Sequence, residues 1–414
     1  MIGTSNNVLL SIGGGVSIAS VPLGAFFLGS ALISCGITEP LFRLAGRRNG
    51  FVAGIAFGIL ATVLGAISLL IKSPAMNVIS TFFFGTANGI GYFIRFAVIE
   101  NVPKEWAARA VTLVVSGGVI AAFAGPEAGQ ETRGMFGDDI NDELYYMGVF
   151  VMTAVFNVAN LICIAVVKFQ PLVDPEVSAK QNSFVDVYKV LLQTRSFMVP
   201  MLRATMGWII MAVPMSILRI AMRDAGFTSH QSLLAIELHF CGMYAPGFIT
   251  GNLIHRYGAR LISLVGWIVS CLSIGVLISS KTERNGSVSP WIIGMILLGV
   301  GWNLQFTGTT VWLNQAANDV QCTKGQIQSA NDFLMFLISG AFIFCASFVY
   351  DAGFWGTGVL RGWVSLNFCV IAFLVVDFSI IVVDYYFQSL TNTRDHHVEE
   401  LAAEGSPDKL NSGA

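Results

Sequence analysis

About eleven segments of the sequence are apolar over about 17 residues or more, the length that a helix needs to cross a hydrocarbon core of about 30 Å. The segments are Val16–Ile37, Gly50–Ile71, Ala75–Ile99, Ala108–Gly125, Tyr146–Val167, Phe197–Ile220, Ser232–Ile254, Leu261–Ser280, Trp291–Leu313, Ile327–Tyr350 and Trp363–Tyr386. Charged residues make up only 12% of the 414 residues, whereas soluble proteins average roughly 25%. The sequence therefore predicts an all-α polytopic membrane protein and excludes a soluble fold.

The charge balance and the motif content exclude several functions. The chain has 23 basic and 25 acidic residues, so it lacks the basic surface field that nucleic-acid binding requires. Its seven cysteines form no C-x-x-C pair, which argues against a zinc site or a disulfide framework. The sequence also lacks H-E-x-x-H, a phosphate-binding loop and G-x-S-x-G. We therefore expect no enzyme, no ATP-driven pump, no metal and no cofactor.

Lysine and arginine are distributed unevenly between alternate loops, with 14 on one side and 6 on the other. The positive-inside rule makes the richer side cytoplasmic, and this side holds the only long connection and the C-terminus. The predicted organisation is an N-terminal bundle at 1–167 with about five spans, a cytoplasmic linker at 168–196, a C-terminal bundle at 197–388 with six spans, and a disordered polar cytoplasmic tail at 389–414. The expected location is a plasma or inner membrane.

The two halves contain a weak internal repeat. Shifting the sequence by 212 residues places Gly46 on Gly258, Arg48 on Arg260, Gly54 on Gly266 and Gly89 on Gly301. The first two pairs fall in basic turns that both connect an inward-running span to an outward-running span. Because many transporter folds are doubled half-bundles, these turns indicate a duplication.

The two turns resemble the basic loops after the second and eighth helices of the major facilitator superfamily, although His255 stands where the superfamily has Asp. A further element, Gly125-Pro126-Glu127-Ala128-Gly129, resembles the G-P-x-x-G element of the fifth helix of its proton-linked antiporters, with a simple Gly/Pro helix end as the alternative. The resemblance implies a two-bundle transporter fold. It also implies gating roles for Arg43, Gly46, Arg47, Arg48, Gly125, Pro126, Gly251, Arg256, Gly258 and Arg260.

Four shorter elements resemble one branch, the bacterial riboflavin-transporter-like facilitators. They are Tyr92–Ala97, His239–Pro246, Leu298–Asn303 and Gln328–Phe333. Members of the superfamily have twelve helices, whereas the sequence before Val16 is too short for a full span and a turn. We therefore expect the first helix of the usual twelve to be missing or truncated.

Ionisable residues inside a membrane are costly and mark substrate or ion pathways by default. The candidates for the substrate and proton pathway are Arg95, Arg203, Glu237, His239, Asn303, Gln305, Asn331 and Asp332. Glu237 is the first choice for proton coupling and His239 the second. Trp208 and Trp302, with Asn303 and Gln305, suggest a cavity that stacks and hydrogen-bonds a flat heteroaromatic solute. Arg219 and Asp377 are expected to have structural roles.

The leading hypothesis is a monomeric secondary transporter in a lipid bilayer that moves a small organic solute with protons by alternating access. The solute would be riboflavin-like or another heteroaromatic compound. One alternative is a drug or organic-anion proton antiporter that exports its solute, as Gly125-Pro126 suggests. Another is a non-transporting membrane receptor or assembly protein that kept the transporter fold.

Overall fold

The computed structural model describes residues 5–94, 97–98, 102–103, 107–137, 144–169, 184–316 and 324–404, and most of these residues are helical, with no strand among them. The N-terminal half contains α1 (Ser5–Ser11), α2 (Val21–Ser34), α3 (Thr38–Leu70), α4 (Pro74–Tyr92), α5 (Ala107–Glu131) and α6 (Met147–Val166). The linker helix is α7 (Phe184–Gln193). The C-terminal half after it contains α8 (Arg195–Asp224), α9 (Ser229–Tyr244), α10 (Gly247–Tyr257), α11 (Ala259–Ile278), α12 (Ser289–Ala316), α13 (Lys324–Ala352) and α14 (Arg361–Glu404). The predicted all-α fold is confirmed.

Each predicted span coincides with a helix, or with the consecutive pair α9 and α10. Among the described residues, nine helical segments are long and apolar enough to cross a membrane. Two further predicted spans correspond to α4 and α5, which carry more polar residues, including Asn77 and Glu127. The predicted count of eleven therefore stays a prediction, whereas the multi-pass membrane architecture is established.

The two turns of the predicted repeat have nearly the same backbone conformation. Gly46 has φ 79° and ψ 161°, and Gly258 has φ 86° and ψ 151°. Only glycine adopts this region without strain, because it has no Cβ atom. The two glycines that align in the sequence therefore make the same sharp turn at the same place in each half.

Two helix pairs make the most extensive contacts between the described helices of the two halves. Along the first, α2 packs against α13, where the hydroxyls of Ser20 and Ser347 are 2.8 Å apart and the backbones of Gly24 and Phe344 lie in close contact. Along the second, α5 packs against α9. Small residues allow such close approach between membrane helices. The space between the two pairs is where a cavity between the halves can form.

The linker helix α7 buries one apolar face. Val187 and Leu191 are fully buried in a cluster with residues of α8 and α13, and the Tyr188 hydroxyl donates to Ala330 O at 2.5 Å. The last helix, α14, differs from expectation because it continues to Glu404. The structure therefore gives a helix over 389–404, within the segment 389–414 for which the sequence predicted a disordered tail, and 405–414 lie outside the described residues.

Candidate functional site

A cavity of about 710 Å³ lies between the two halves, within the range of about 300–1,000 Å³ that is typical of small-molecule sites. It is lined by Ala87, Asn88, Gly91, Tyr92, Ile94, Val114, Gly118, Asn160, Met243, Tyr244, Trp302, Asn303, Phe306, Thr307, Thr310, Val311 and Asn314. These residues come from α4, α5, α6, α9 and α12, so both halves contribute. Asn314 lies two residues before the end of α12, which places the cavity on the side of the membrane where the linker lies.

One wall of the cavity is aromatic. Trp302 and Phe306, one helical turn apart on α12, are stacked with ring centroids 4.9 Å apart and planes 9° apart. Tyr244 on α9 faces Trp302 edge-on at 6.4 Å. Trp208 packs edge-on behind Trp302 at 5.2 Å and does not line the cavity. This arrangement offers flat apolar surface to a planar solute.

The polar part of the wall consists of amides and hydroxyls. Thr307, Thr310 and Asn314 continue down α12 from Asn303 at helical spacing, and Asn88 and Asn160 add two amides from the N-terminal half. A polar stripe in an otherwise apolar helix is visible in the sequence, although only Asn303 was selected from it. Tyr244, Phe306, Asn88 and Asn160 were not selected as site residues.

Of the candidates for the substrate and proton pathway that lie among the described residues, only Asn303 lines the cavity, and its amide is engaged by protein groups; Trp302, which was predicted to belong to a cavity, lines it too. The Asn303 Nδ2 donates to Met243 O at 2.6 Å, and the Asn303 Oδ1 accepts from the Thr250 hydroxyl at 2.7 Å. These bonds tie α12 to α9 and α10. Asn303 therefore holds the wall in shape at the point where α9 ends.

Arg203 and Gln305 lie inside the C-terminal half and do not line this cavity. Arg203 Nε is 3.1 Å from Asp377 Oδ1, and both side chains are buried. The Arg203 guanidinium also donates to Ser263, and Gln305 Nε2 donates to Asp377 Oδ2 at 2.7 Å and to Arg203 O at 3.0 Å. This buried and hydrogen-bonded ion pair joins α8, α11, α12 and α14, and the pathway role of Arg203 and Gln305 stays a prediction.

Glu237 and His239 are buried in the part of α9 that lies away from the cavity. Glu237 is 3% exposed, and its Oε1 makes no hydrogen bond within the described structure. The ionisable groups that act on it are Glu127 of α5, His230 of its own helix and Arg219 of α8. His239 is fully buried, and its Nδ1 lies 2.9 Å from Met295 O. Neither side chain faces the cavity, because this part of α9 is turned towards α5, α8 and α12.

Asn331 and Asp332 lie near the linker-side end of α13. Asp332 is buried, and its Oδ1 accepts from Asn331 Nδ2 at 3.3 Å and from Gln328 Nε2 at 3.4 Å. These residues do not line the described cavity. Arg95, the remaining pathway candidate, lies outside the described residues.

The basic turns bring their arginines against aromatic rings and the backbone. Arg47 lies over the Phe42 ring at 5.1 Å, and Arg260 lies over the Trp312 ring at 4.6 Å. Arg48 donates to Val167 O at 2.9 Å. The other arginines of these turns are Arg43, which is exposed, and Arg256, which lies over the ring of Tyr257. Each half thus has a turn glycine followed by arginines that are held at the membrane edge.

The Gly-Pro element lies within α5 rather than at its end. Gly125 and Pro126 precede the last residue, Glu131, by more than one turn. Gly251, the remaining glycine with a predicted gating role, lies in α10 with open space around its Cα. The alternative interpretation of Gly125-Pro126 as a simple helix end is therefore incorrect, whereas the gating role stays a prediction.

Curated relatives match the chain over most of its length. It is 27% identical over 381 residues to the riboflavin transporter RfnT of Brucella anthropi, and the aligned region covers 89% of this chain and 88% of RfnT. It is 26% identical over 337 residues to the uncharacterised MFS-type transporter YddS of Bacillus subtilis, covering 79% of this chain and 75% of YddS. No protein-family model matches the chain.

Solved structures share the fold at low sequence identity. The Escherichia coli fucose:proton symporter FucP matches with a TM-score of 0.59 and 16% identity over 92% of this chain and 95% of FucP. The nucleoside transporter NupG matches with a TM-score of 0.53 and 12% identity over 92% of this chain and 99% of NupG. The predicted superfamily resemblance and its transporter fold are confirmed.

Proposed function

We propose that this chain is a secondary transporter of a small, flat heteroaromatic solute. It has the fold of the major facilitator superfamily, and it has relatives among the transporters of that superfamily. The observation that carries the proposal is the cavity between the halves, where a stacked aromatic wall adjoins a row of neutral polar side chains. Such a wall can stack a planar ring system while the amides and hydroxyls fix its orientation. RfnT, named as a riboflavin transporter, supports riboflavin as the first solute to test.

The cavity and the excess of basic residues lie on the same side. The positive-inside rule would make the linker side and the C-terminus cytoplasmic, so the structure would correspond to an inward-facing state. Alternating access then requires that the halves rock until the cavity opens on the opposite side. A solute drives this exchange only through its different affinity for the two states.

Glu237 is our candidate for the group that couples transport to protons. It is buried on α9 of the C-terminal half, while Glu127 acts on it from α5 of the N-terminal half and Arg219 acts on it from α8. A change in the relative position of α5 and α9 would alter the charges around Glu237. Its proton occupancy would therefore depend on which side the cavity faces, which is the requirement for coupling.

The test is riboflavin exchange by the purified protein in liposomes, measured for the wild type and for two tryptophan variants. Trp302→Leu removes one aromatic ring from the cavity wall. It should lower riboflavin exchange by roughly tenfold, because stacking of a planar ring on an aromatic side chain contributes about 1–3 kcal/mol to binding. Trp267→Leu is the matched control, because Trp267 stacks on Phe378 away from the cavity and should change exchange less than twofold. Two outcomes would contradict the proposal. One is a wild-type protein that melts cooperatively but exchanges no riboflavin, and the other is an equal loss of riboflavin exchange in both variants.

A further inference from the structure

The described wall of the cavity carries no ionisable side chain except two tyrosines, Tyr92 and Tyr244. All its other polar groups are neutral amides, hydroxyls and one indole. An ion that is taken out of water requires a partner of opposite charge or a dense set of hydrogen bonds. The described wall is thus suited to a solute without net charge.

Four charged side chains of the described spanning helices lie away from the cavity. Arg203 pairs with Asp377 inside the C-terminal half. Glu237 lies among α5, α8 and α9, and Asp332 is bonded by Gln328 and Asn331 on α13. None of these groups lines the cavity. The separation of buried charge from the cavity is therefore a consistent feature of the described helices.

Two groups in the wall have unused hydrogen-bonding capacity. Trp302 is only 5% exposed, and its Nε1 makes no hydrogen bond within the described structure. The Thr310 hydroxyl, two turns further along α12, is also buried without a partner. Both atoms are inaccessible in this arrangement, so the groups that a solute meets are the other neutral amides and hydroxyls of the described lining.

We propose that the cavity selects a heteroaromatic solute in its uncharged form and rejects the phosphate ester of the same solute. This inference rests on the proposed function and narrows its substrate class. In an arrangement open to the linker side, a phosphate group can stay in water. When the halves close around the solute, the phosphate loses that water and finds no cation in the described wall. Rejection is therefore stronger in translocation than in binding.

The experiment compares exchange of riboflavin with riboflavin 5′-phosphate in liposomes, and of a nucleoside with its 5′-monophosphate. We expect the uncharged member of a transported pair to exchange about 100-fold faster or more, because an unpaired buried ion costs several kcal/mol. Comparable exchange of a phosphate ester overturns this inference and leaves the proposed function intact. Failure of both uncharged compounds to exchange overturns the proposed function and this inference with it.

A paired substitution tests the cause of the rejection. Asn314→Arg places a cation in the cavity wall near the end of α12, while Asn314→Gln keeps the wall neutral. The arginine variant should raise exchange of riboflavin 5′-phosphate at least about tenfold over the wild type, whereas the glutamine variant, which brings no cation, should not raise it. An arginine variant that melts like the wild type and still rejects the phosphate ester would show that wall charge does not set the selectivity.

Discussion

Gly118 of α5 lies directly against the ring of Tyr244 of α9, so that a Cβ atom added at Gly118 would be 2.8 Å from Tyr244 Cγ. Both residues line the cavity, and each belongs to a different half. The ring can occupy this place only because residue 118 has no side chain. This contact fixes the distance between the halves at the cavity wall.

Gly118→Ala should therefore displace the Tyr244 ring and lower riboflavin exchange by about tenfold, since overpacking of this kind costs about 1–3 kcal/mol. Gly117→Ala is the control, because a Cβ atom at Gly117 meets nothing within 4 Å. Exchange rates and melting temperatures of both variants provide the measurement. Equal exchange by the two variants would show that the contact with Tyr244 is not important for transport.

The sequence predicted the fold because length, hydropathy and glycine spacing are local properties. The turn glycines Gly46 and Gly258 were aligned by their spacing alone, and their backbone conformations agree. The pairing of Arg203 with Asp377 was not predicted, because the two residues are 174 positions apart and periodicity does not indicate which helices become neighbours. Likewise, the sequence places Glu237 and His239 on one predicted span, but it does not show that neither faces the cavity.

The pair of glycines at 117 and 118 illustrates the same limit. The sequence identified both residues on one helix, but only the packing of α5 against α9 distinguishes the one that meets Tyr244. The stripe of Asn303, Thr307, Thr310 and Asn314 was visible at helical spacing, because its polar residues interrupt an apolar helix. Site residues in the other half, such as Asn160, carry no comparable local signal.

Glu237→Gln should abolish proton-driven accumulation of riboflavin while leaving its exchange without a gradient within about twofold. The amide cannot release a proton, but the cavity wall is unchanged because Glu237 does not line it. Glu283→Gln is the control, since Glu283 lies in an exposed connection between α11 and α12. Accumulation is measured in liposomes with an imposed pH difference. Retained pH-driven accumulation in Glu237→Gln would assign coupling to another group.

Arg203→Ala should destabilise the protein by about 3–5 kcal/mol, because it leaves the Asp377 carboxylate buried without its cation. Replacing both partners in Arg203→Met with Asp377→Leu should recover most of this loss, since no uncompensated charge remains. Thermal unfolding in detergent measures both effects. If the double variant is less stable than either single variant, the pair stabilises the bundle in its own right.

Gly258→Ala should destabilise the turn between α10 and α11 by about 1–3 kcal/mol, because φ of 86° and ψ of 151° are accessible to glycine almost alone. A Cβ atom at this position meets nothing within 4 Å, so the loss would come from the backbone and not from a clash. Gly251→Ala is the matched control, since Gly251 also has open space but lies in α10, where alanine is favoured over glycine by up to about 1 kcal/mol. Because Gly46 has the same conformation, Gly46→Ala should cost the same amount. The repeated turn is supported if the melting temperatures of Gly46→Ala and Gly258→Ala both fall while that of Gly251→Ala does not. Unchanged melting temperatures of both turn variants would contradict it.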